Sequence, residues 1–215
     1  MSKQKLTLRA AKAQKTKTNI FETALMLFRT YGYDNVTIDE ITRSAGVSKG
    51  TFYSHFGNKE SVLIAQYQKI NNYYEDAFAL IPSEITAGER LLFLAETIVR
   101  YNVDICDVDT MRIVYVSQLT NKHAMQLLYD KTRLIHRSLL ETVEDGRNSG
   151  EFHFLISSEK LVDLIMSLIR GLVYDWCACD GKTNLKADTK NLFSVIVTCL
   201  QSGLLLTENN LENDL

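Results

Sequence analysis

The sequence predicts an all-α protein of about nine helices. Its 215 residues include one proline, Pro82, and ten glycines, whereas sandwiches and barrels need many turns that are rich in these two residues. Hydrophobic residues make up 46% of the chain, and they recur every three or four positions, which is the helical period. The length suits one large domain, or a small domain joined to a larger one.

The N-terminal part is basic and contains the first predicted helix. Residues 1–60 hold ten Lys and Arg against five acids, whereas the rest of the chain holds 14 against 21. This layout is typical of a protein whose N-terminal part meets a polyanion, although a solvated basic tail would have the same composition. We expect residues 1–15 to form a flexible arm and residues 17–31 to form a helix that ends at Gly32. The apolar face of that helix comprises Ile20, Ala24, Leu27, Phe28 and Tyr31.

Two short helices follow, and local signals fix the start of each. The run TIDE is a capping box, in which Thr37 and Glu40 can cap each other. Gly46 then supplies a residue for a tight left-handed turn, and Ser48 can cap a second helix over 49–55. Two short helices joined by a Gly-containing turn form a helix-turn-helix pattern.

The remaining chain is expected to form one connecting helix and five further helices. The predicted boundaries are 16–62 for the helix-turn-helix domain, 63–81 for the connecting helix and 82–215 for a helical body. Asn58 can cap the helix that leads out of the first domain, and Pro82 ends it. The body helices are predicted over 88–105, 109–119, 122–147, 158–178 and 188–206.

The last two predicted helices each carry more than one apolar stripe. A second subunit would bury such faces, so we expect dimerisation through them, with a large core within one chain as the alternative. A glycine on the first of these helices would allow close helix approach. The candidate interface residues are Leu164, Leu168, Gly171, Leu172, Leu192, Val195, Ile196, Cys199 and Leu200.

Several function classes are disfavoured. The sequence has no Gly-rich phosphate loop, HExxH, GxSxG or Cys/His pairing, so we expect no enzyme activity and no cofactor. Cys177 and Cys179 lack a second pair at zinc-like spacing, so we expect free thiols and no metal. No signal peptide and no apolar run of about 18 residues is present, which predicts a protein of the reducing cytoplasm without a membrane partner.

Four stretches of the N-terminal part match a known family. They are FETALMLF from Phe21, GYDNVTIDEI from Gly32, AGVSKGTFYSHF from Ala45 and NKE from Asn58. Over about 17–65 they resemble the DNA-binding domain of the tetracycline-repressor (TetR) family. The resemblance implies a homodimer whose last two helices form a four-helix bundle with their mates. It also implies a palindromic operator in double-stranded DNA and a small-molecule effector that changes DNA affinity.

The recognition helix 49–55 has an inner and an outer side. Phe52 and Phe56 are four positions apart and are expected in the core, which leaves the polar residues facing DNA. Lys49 could donate to guanine, and Lys59 is expected to clamp a phosphate. Thr37 and Ser48 lie at helix N-termini, whose backbone N–H groups could bind phosphate. The predicted DNA-contacting residues are Thr37, Ser48, Lys49, Gly50, Thr51, Tyr53, His55 and Lys59, together with Lys12, Lys15 and Lys17 of the arm.

The body offers candidates for an effector pocket. Aromatic, soft and hydrogen-bonding residues on its predicted helices would suit a mostly apolar pocket, although such residues at helical spacing are more often core. We therefore expect a repressor released by a small molecule, with an effector-independent regulator or an activator as alternatives. The candidate pocket residues are Tyr101, Met111, Tyr115, Gln118, Met125, Tyr129, His136, Trp176 and Cys177.

Overall fold

The structure is a computed structural model that describes residues 3–120 and 130–203, with the side chains of 3–8, 63, 64, 66–68, 117 and 120 left undescribed. These residues contain nine α-helices and one π-helical segment, and no strand, which confirms the all-α prediction. None of the described helices is both long enough and apolar enough to cross a membrane. The helices are α1 (Lys3–Tyr31), α2 (Ile38–Ala45), α3 (Lys49–His55), α4 (Glu60–Phe78), α5 (Ala87–Arg100) with the π-helical segment Tyr101–Ile105, α6 (Val108–Thr120), α7 (Leu134–Asn148), α8 (Ser158–Ala178) and α9 (Leu185–Ser202).

The chain divides into two compact units. Among the described residues, the first unit comprises 3–68 and 112–120, and the second comprises 69–111 and 130–203. The division falls within α4 and within α6, whereas the expected boundaries lay at the two ends of the connecting helix 63–81. Ile113 of α6 belongs to the hydrophobic core of the first unit, which explains why that part of α6 clusters with the N-terminal helices.

The core of the first unit holds the three N-terminal helices together. Ile20 and Phe28 of α1, Ile41 of α2 and Phe52 of α3 are each at most 1% exposed, and Phe56 after α3 is 2% exposed. Large side chains from three helices therefore interdigitate in one cluster. The expectation that the two phenylalanines of the recognition helix point inward is confirmed.

Helix α1 corrects the expected flexible arm. The helix begins at Lys3, so residues 3–15 form part of a helix, where a flexible arm without helix was expected. The segment consists largely of Lys, Gln, Leu, Arg and Ala, which favour helix, and it contains neither glycine nor proline to interrupt the helix.

A second correction concerns the helix predicted over 122–147. In the structure α7 begins at Leu134, after a turn at 130–133, and residues 121–129 lie outside the described residues. The Asp130 carboxylate accepts hydrogen bonds from the backbone N–H (2.9 Å) and the hydroxyl (2.6 Å) of Thr132. Such local bonds offer the backbone an alternative to helix, which ends the regular pattern there.

The second unit is built around α5, α7, α8 and α9. The carboxylate of Glu151, in the turn after α7, accepts from the backbone N–H groups of Ala87 (2.8 Å) and Gly88 (2.9 Å). These are first-turn donors of α5 that have no partner within the helix. Gly146 of α7 lets Phe152 pack against the backbone, because a Cβ at position 146 would lie 2.2 Å from the Phe152 ring. The turn 149–152 is thus anchored to two helices.

Candidate nucleic-acid interface

The turn between α2 and α3 is fixed by local backbone geometry and by one bond from α1. Gly46 adopts the left-handed conformation (φ 67°), and the backbone N–H of Val47 donates to the carbonyl of Thr42 at 2.9 Å. Asn19 of α1 donates from Nδ2 to the carbonyl of Ala45 at 2.9 Å. The angle between α2 and α3 is therefore held from both sides, and the capping signals read from the sequence are confirmed.

The start of α3 presents its polar side chains to solvent. Lys49 and Gly50 are exposed, and the Tyr53 side chain is 53% exposed with its ring edge-on to Phe52 at 5.7 Å. Nothing lies within 4 Å of a Cβ at position 50 except Ser48 Oγ at 3.7 Å, so the backbone there is open to a close approach. An exposed face on a helix with a buried opposite side is the arrangement that reads base edges in helix-turn-helix proteins.

The hydroxyls at the start of α3 already have partners in the protein. Ser48 Oγ accepts from the backbone N–H of Thr51 (3.0 Å) and lies 2.9 Å from Thr51 Oγ1. Ser54 donates to the carbonyl of Thr51 at 2.7 Å. Thr51 and His55 are half-buried. A hydroxyl rotates and has spare acceptor capacity, so capping leaves Ser48 and Thr51 able to bind a further group.

Thr37 is more fully engaged. Its backbone N–H and its hydroxyl both donate to Glu40 Oε2 at 2.8 Å, and its hydroxyl accepts from the backbone N–H of Glu40 at 3.2 Å. These bonds hold the pKa of the Glu40 carboxyl below its ordinary value, because they favour the charged form. Capping is confirmed for Thr37, and its predicted phosphate contact would have to come from its neighbours' N–H groups.

Lys49 forms an ion pair across the turn. Its Nζ lies 2.7 Å from Oδ1 of Asp39, in the first turn of α2, and both side chains are more than half exposed (60% and 54%). The hydrogen bond to Asp39 raises the pKa of the Lys49 ammonium. Sequence reasoning identified Lys49 and missed Asp39. The only signal was an acid ten positions upstream on the preceding helix, and nothing in its spacing specified the pair.

Lys59 has partners within the protein that the sequence did not predict. It was expected to clamp a phosphate, but its ammonium donates to the backbone carbonyls of Tyr33 (2.6 Å) and Val36 (3.0 Å) and lies 4.2 Å from the centroid of the Tyr33 ring. Burial lowers the pKa of this ammonium. Two of its three donors are therefore used to hold the segment between α1 and α2, and Lys59 is first a structural residue.

The lysines of α1 differ in their environment. Lys12 and Lys15 are exposed and, three positions apart on a helix, lie on the same face. Lys17 is half-buried, with its Nζ 5.7 Å from the centroid of the Phe56 ring. Because α1 is helical from Lys3, these three lysines lie on a helix.

Comparison with known proteins agrees with this geometry. The model of bacterial regulatory proteins of the tetR family matches residues 20–65. The HTH-type transcriptional repressor AcnR of Corynebacterium jeikeium (strain K411) is 24% identical over 158 residues, which are 73% of this chain and 79% of that protein. Residues 20–65 therefore match the tetR-family model, and a larger part of the chain is similar to a transcriptional repressor.

Two further likenesses define how far the similarity extends. The uncharacterized HTH-type transcriptional regulator YuxN of Bacillus subtilis (strain 168) is 39% identical over 70 residues, 33% of this chain, and the chain spans only 23% of that relative's length. The crystal structure of the transcriptional regulator FadR from Bacillus subtilis, in complex with stearoyl-CoA, has a TM-score of 0.66 at 24% identity, over 86% of this chain and 98% of that one. Identity is higher over the shorter match, whereas the likeness to the solved structure over most of the chain is one of fold.

The residues expected at a dimer interface mostly lie on one outer face of α8 and α9. Leu164, Leu168 and Val195 are 44%, 43% and 60% exposed. Gly171 is exposed, and a Cβ there would have nothing within 4 Å. The others on this face are half-buried: Leu172, Leu192, Ile196 and Cys199.

Leu200 is the one predicted interface residue that does not lie on this outer face. It is 0% exposed and lies seven positions after Phe193, which is also 0% exposed, on the side of α9 that faces the core of the second unit. Its carbonyl accepts from the backbone N–H of His153 at 2.8 Å. The assignment of Leu200 to the interface is therefore wrong.

The structure does not gather the candidate effector residues around one described cavity. Tyr101, Met111, His136, Trp176 and Cys177 are buried in the second unit, Gln118 (buried) and Tyr115 (half-buried) belong to the first, and Met125 and Tyr129 lie outside the described residues. A cavity of about 320 Å³ in the second unit lies between α5 and the start of α9, and none of the described candidates lines it. Its lining is Glu96, Val99, Arg100, Asn184, Lys186, Ala187 and Lys190.

Proposed function

We propose that this chain is a TetR-family regulator, a homodimeric repressor that binds a palindromic operator and leaves it when a small molecule binds the second unit. The observation that carries the proposal is the exposure of Lys49, Gly50 and Tyr53 on α3, a helix that Phe52 and Phe56 anchor to the core. A rigid helix with an exposed N-terminal half is what insertion into a major groove requires.

The contacts divide into base reading and backbone positioning. Lys49 is proposed to donate to guanine O6 and N7, and Thr51 to offer a hydroxyl to a base or a methyl to thymine. Gly50 lets the backbone come close. Tyr53, Ser48 and His55 are proposed to contact phosphates and so position the helix on the duplex. Phosphate contacts are also proposed for three lysines of α1, which are Lys12, Lys15 and Lys17.

The dimer is proposed on the outer face of α8 and α9. Exposed Leu164, Leu168 and Val195 form an apolar surface that a second copy would bury. Gly171, with open space around it, would let the partner helix approach closely. A two-fold axis through this face would present two recognition helices to half-sites about 34 Å apart, or a multiple of that distance.

The effector is proposed from likeness together with the composition of the second unit. FadR of Bacillus subtilis binds stearoyl-CoA on the same fold, so a helical body of this kind can hold an apolar ligand. The buried His136 and Trp176 remain candidates for contacts with such a ligand. A regulator without an effector, or an activator, shares the DNA-binding half of the proposal and differs in the response to compounds.

The test begins with selection of genomic DNA fragments that the full-length protein retains, followed by gel-shift competition between the selected duplex and a shuffled duplex of equal composition. Lys49→Ala should lose about 1–3 kcal/mol of discrimination at one base pair in each half-site and little elsewhere. Compounds are then screened for release of the complex. Equal competition by both duplexes, or an unchanged base preference in Lys49→Ala at matched salt, would refute the assignment.

A further inference from the structure

The first turn of α2 carries two acids with different tasks. Glu40 caps the helix, since its carboxylate accepts from the N–H and the hydroxyl of Thr37 at 2.8 Å. Asp39 takes no part in that capping box, and its carboxylate reaches across the turn to Lys49 at 2.7 Å. An acid beside a surface that meets phosphates repels them, so its presence at this position needs a reason other than capping.

We propose that Asp39 is a positioning residue that suppresses binding to non-specific DNA by aiming Lys49 and cancelling its charge. The inference rests on the proposed function, because it assumes that α3 reads an operator. In this proposal Asp39 does not itself need to touch DNA. It raises the preference for operator over non-specific DNA and does not raise the affinity for the operator.

The chemistry of the ammonium makes this division possible. A lysine ammonium has three donors, and the bond to Asp39 uses one, which leaves two for the O6 and N7 acceptors of guanine. At the same time the neighbouring carboxylate offsets the positive charge that would otherwise attract any phosphate. The pair therefore keeps the sequence-dependent contact of Lys49 and removes its sequence-independent attraction, which supplies most non-specific binding.

The geometry supports a pair that persists next to DNA. Asp39 is the second residue of α2 and Lys49 the first of α3, so the two helices hold the ends of the pair through the turn at Gly46. Both side chains are exposed, so the pair adds little to the stability of the fold. Its effect should therefore appear in DNA binding more than in thermal stability.

The experiment compares the wild type with Asp39→Asn on the selected operator and on a shuffled duplex, by fluorescence anisotropy over a range of salt concentrations. Each freed ammonium adds about one phosphate contact, so the salt slope on shuffled DNA should steepen by ~0.9 per subunit, and affinity for it should rise about tenfold per subunit at 0.1 M salt. Operator affinity should change less, so the ratio of the two affinities falls. Glu22→Gln, an exposed acid on α1, is the control with the same change in charge.

A double-mutant cycle decides whether Asp39 acts through Lys49. In a Lys49→Ala background, the effect of Asp39→Asn on the affinity ratio and on the salt slope should be much smaller, because only the general repulsion of phosphates by the Asp39 carboxylate is then removed. An undiminished effect there, an equal effect of Glu22→Gln, or an unchanged ratio in Asp39→Asn would each overturn the inference while leaving the proposed function standing. A wild type that does not distinguish operator from shuffled DNA would overturn both.

Discussion

Replacing Lys59 by methionine tests whether this lysine holds the fold or grips DNA. Methionine keeps the length and apolar stem and removes the ammonium. The variant loses two charge-assisted hydrogen bonds, to Tyr33 O (2.6 Å) and Val36 O (3.0 Å), and the contact with the Tyr33 ring at 4.2 Å. A hydrogen bond to a charged group contributes about 1.5–3 kcal/mol, and a cation–π contact about 0.5–1 kcal/mol where it is exposed.

Two opposing effects reduce that sum. Water can reach the two carbonyls in the variant, and the variant no longer has to desolvate an ammonium. We expect a net loss of about 2 kcal/mol, confined to the segment that Lys59 holds. This corresponds to a roughly 30-fold faster amide exchange in α2, which begins directly after that segment.

The assay is hydrogen–deuterium exchange of the peptide covering 37–45, measured beside the salt dependence of operator binding. Lys12→Met is the matched control: this exposed lysine of α1 should leave exchange in α2 unchanged and lower the salt slope by ~0.9 per subunit. Lys59→Met should instead speed amide exchange in α2 and leave the salt slope of operator binding unchanged. Unchanged exchange in Lys59→Met, together with a slope lowered as in the control, would show that the ammonium faces DNA and would refute the reasoning.

Three substitutions in the second unit make further predictions. Gly146→Ala places a Cβ 2.2 Å from the Phe152 ring and should destabilise the protein by about 1–3 kcal/mol, seen as a lower melting temperature. Gly171→Ala meets nothing within 4 Å and should stabilise α8 by up to about 1 kcal/mol, yet weaken the dimer in analytical ultracentrifugation; an unchanged dimer would place the interface elsewhere. Burial raises the pKa of the Glu151 carboxyl, but hydrogen bonds from the α5 backbone outweigh it and hold the pKa below the ordinary 4.5. Its stabilisation is therefore present near neutral pH and lost as the pH falls through the lowered pKa, so thermal melts of Glu151→Gln should depend less on pH below about 4.5 than those of the wild type.

The helix-turn-helix was predictable because its signals are local. The side chains of Thr37 and Ser48 cap the N-termini of two helices, which marks where each helix starts. Gly46 indicates the turn, because glycine adopts the left-handed conformation easily. Phe52 and Phe56 are four apart, so helical geometry places them on one side. Each signal needs only a few neighbouring residues.

The polar contacts of Lys49 and Lys59 within the protein, which the sequence did not predict, are not local. Lys59 reaches carbonyls 26 and 23 residues upstream, and no pattern in the sequence distinguishes it from a lysine that reaches DNA. The pair of Lys49 with Asp39 depends on the angle between α2 and α3. Such long-range polar contacts follow from the packed arrangement of helices, which periodicity alone does not give.

The sequence predicted that the second unit is helical, but it did not predict which helix faces are buried or where α7 begins. Helices α8 and α9 are apolar on more than one side, so periodicity could not tell Leu200, on the inner side, from Val195, on the outer side. The turn that precedes α7 arises from one carboxylate, that of Asp130, competing for backbone N–H groups within an otherwise helical pattern. Effector candidates were chosen by residue type, which core packing shares.

The most direct test of the central claim is hydroxyl-radical footprinting of the full-length protein on DNA selected from genomic fragments. The proposed dimer, reading DNA through α3, should protect two patches related by two-fold symmetry, centred about 34 Å or a multiple of it apart, and Lys49→Ala should weaken both equally. A single patch without symmetry, or protection that is the same on shuffled DNA, would contradict the account.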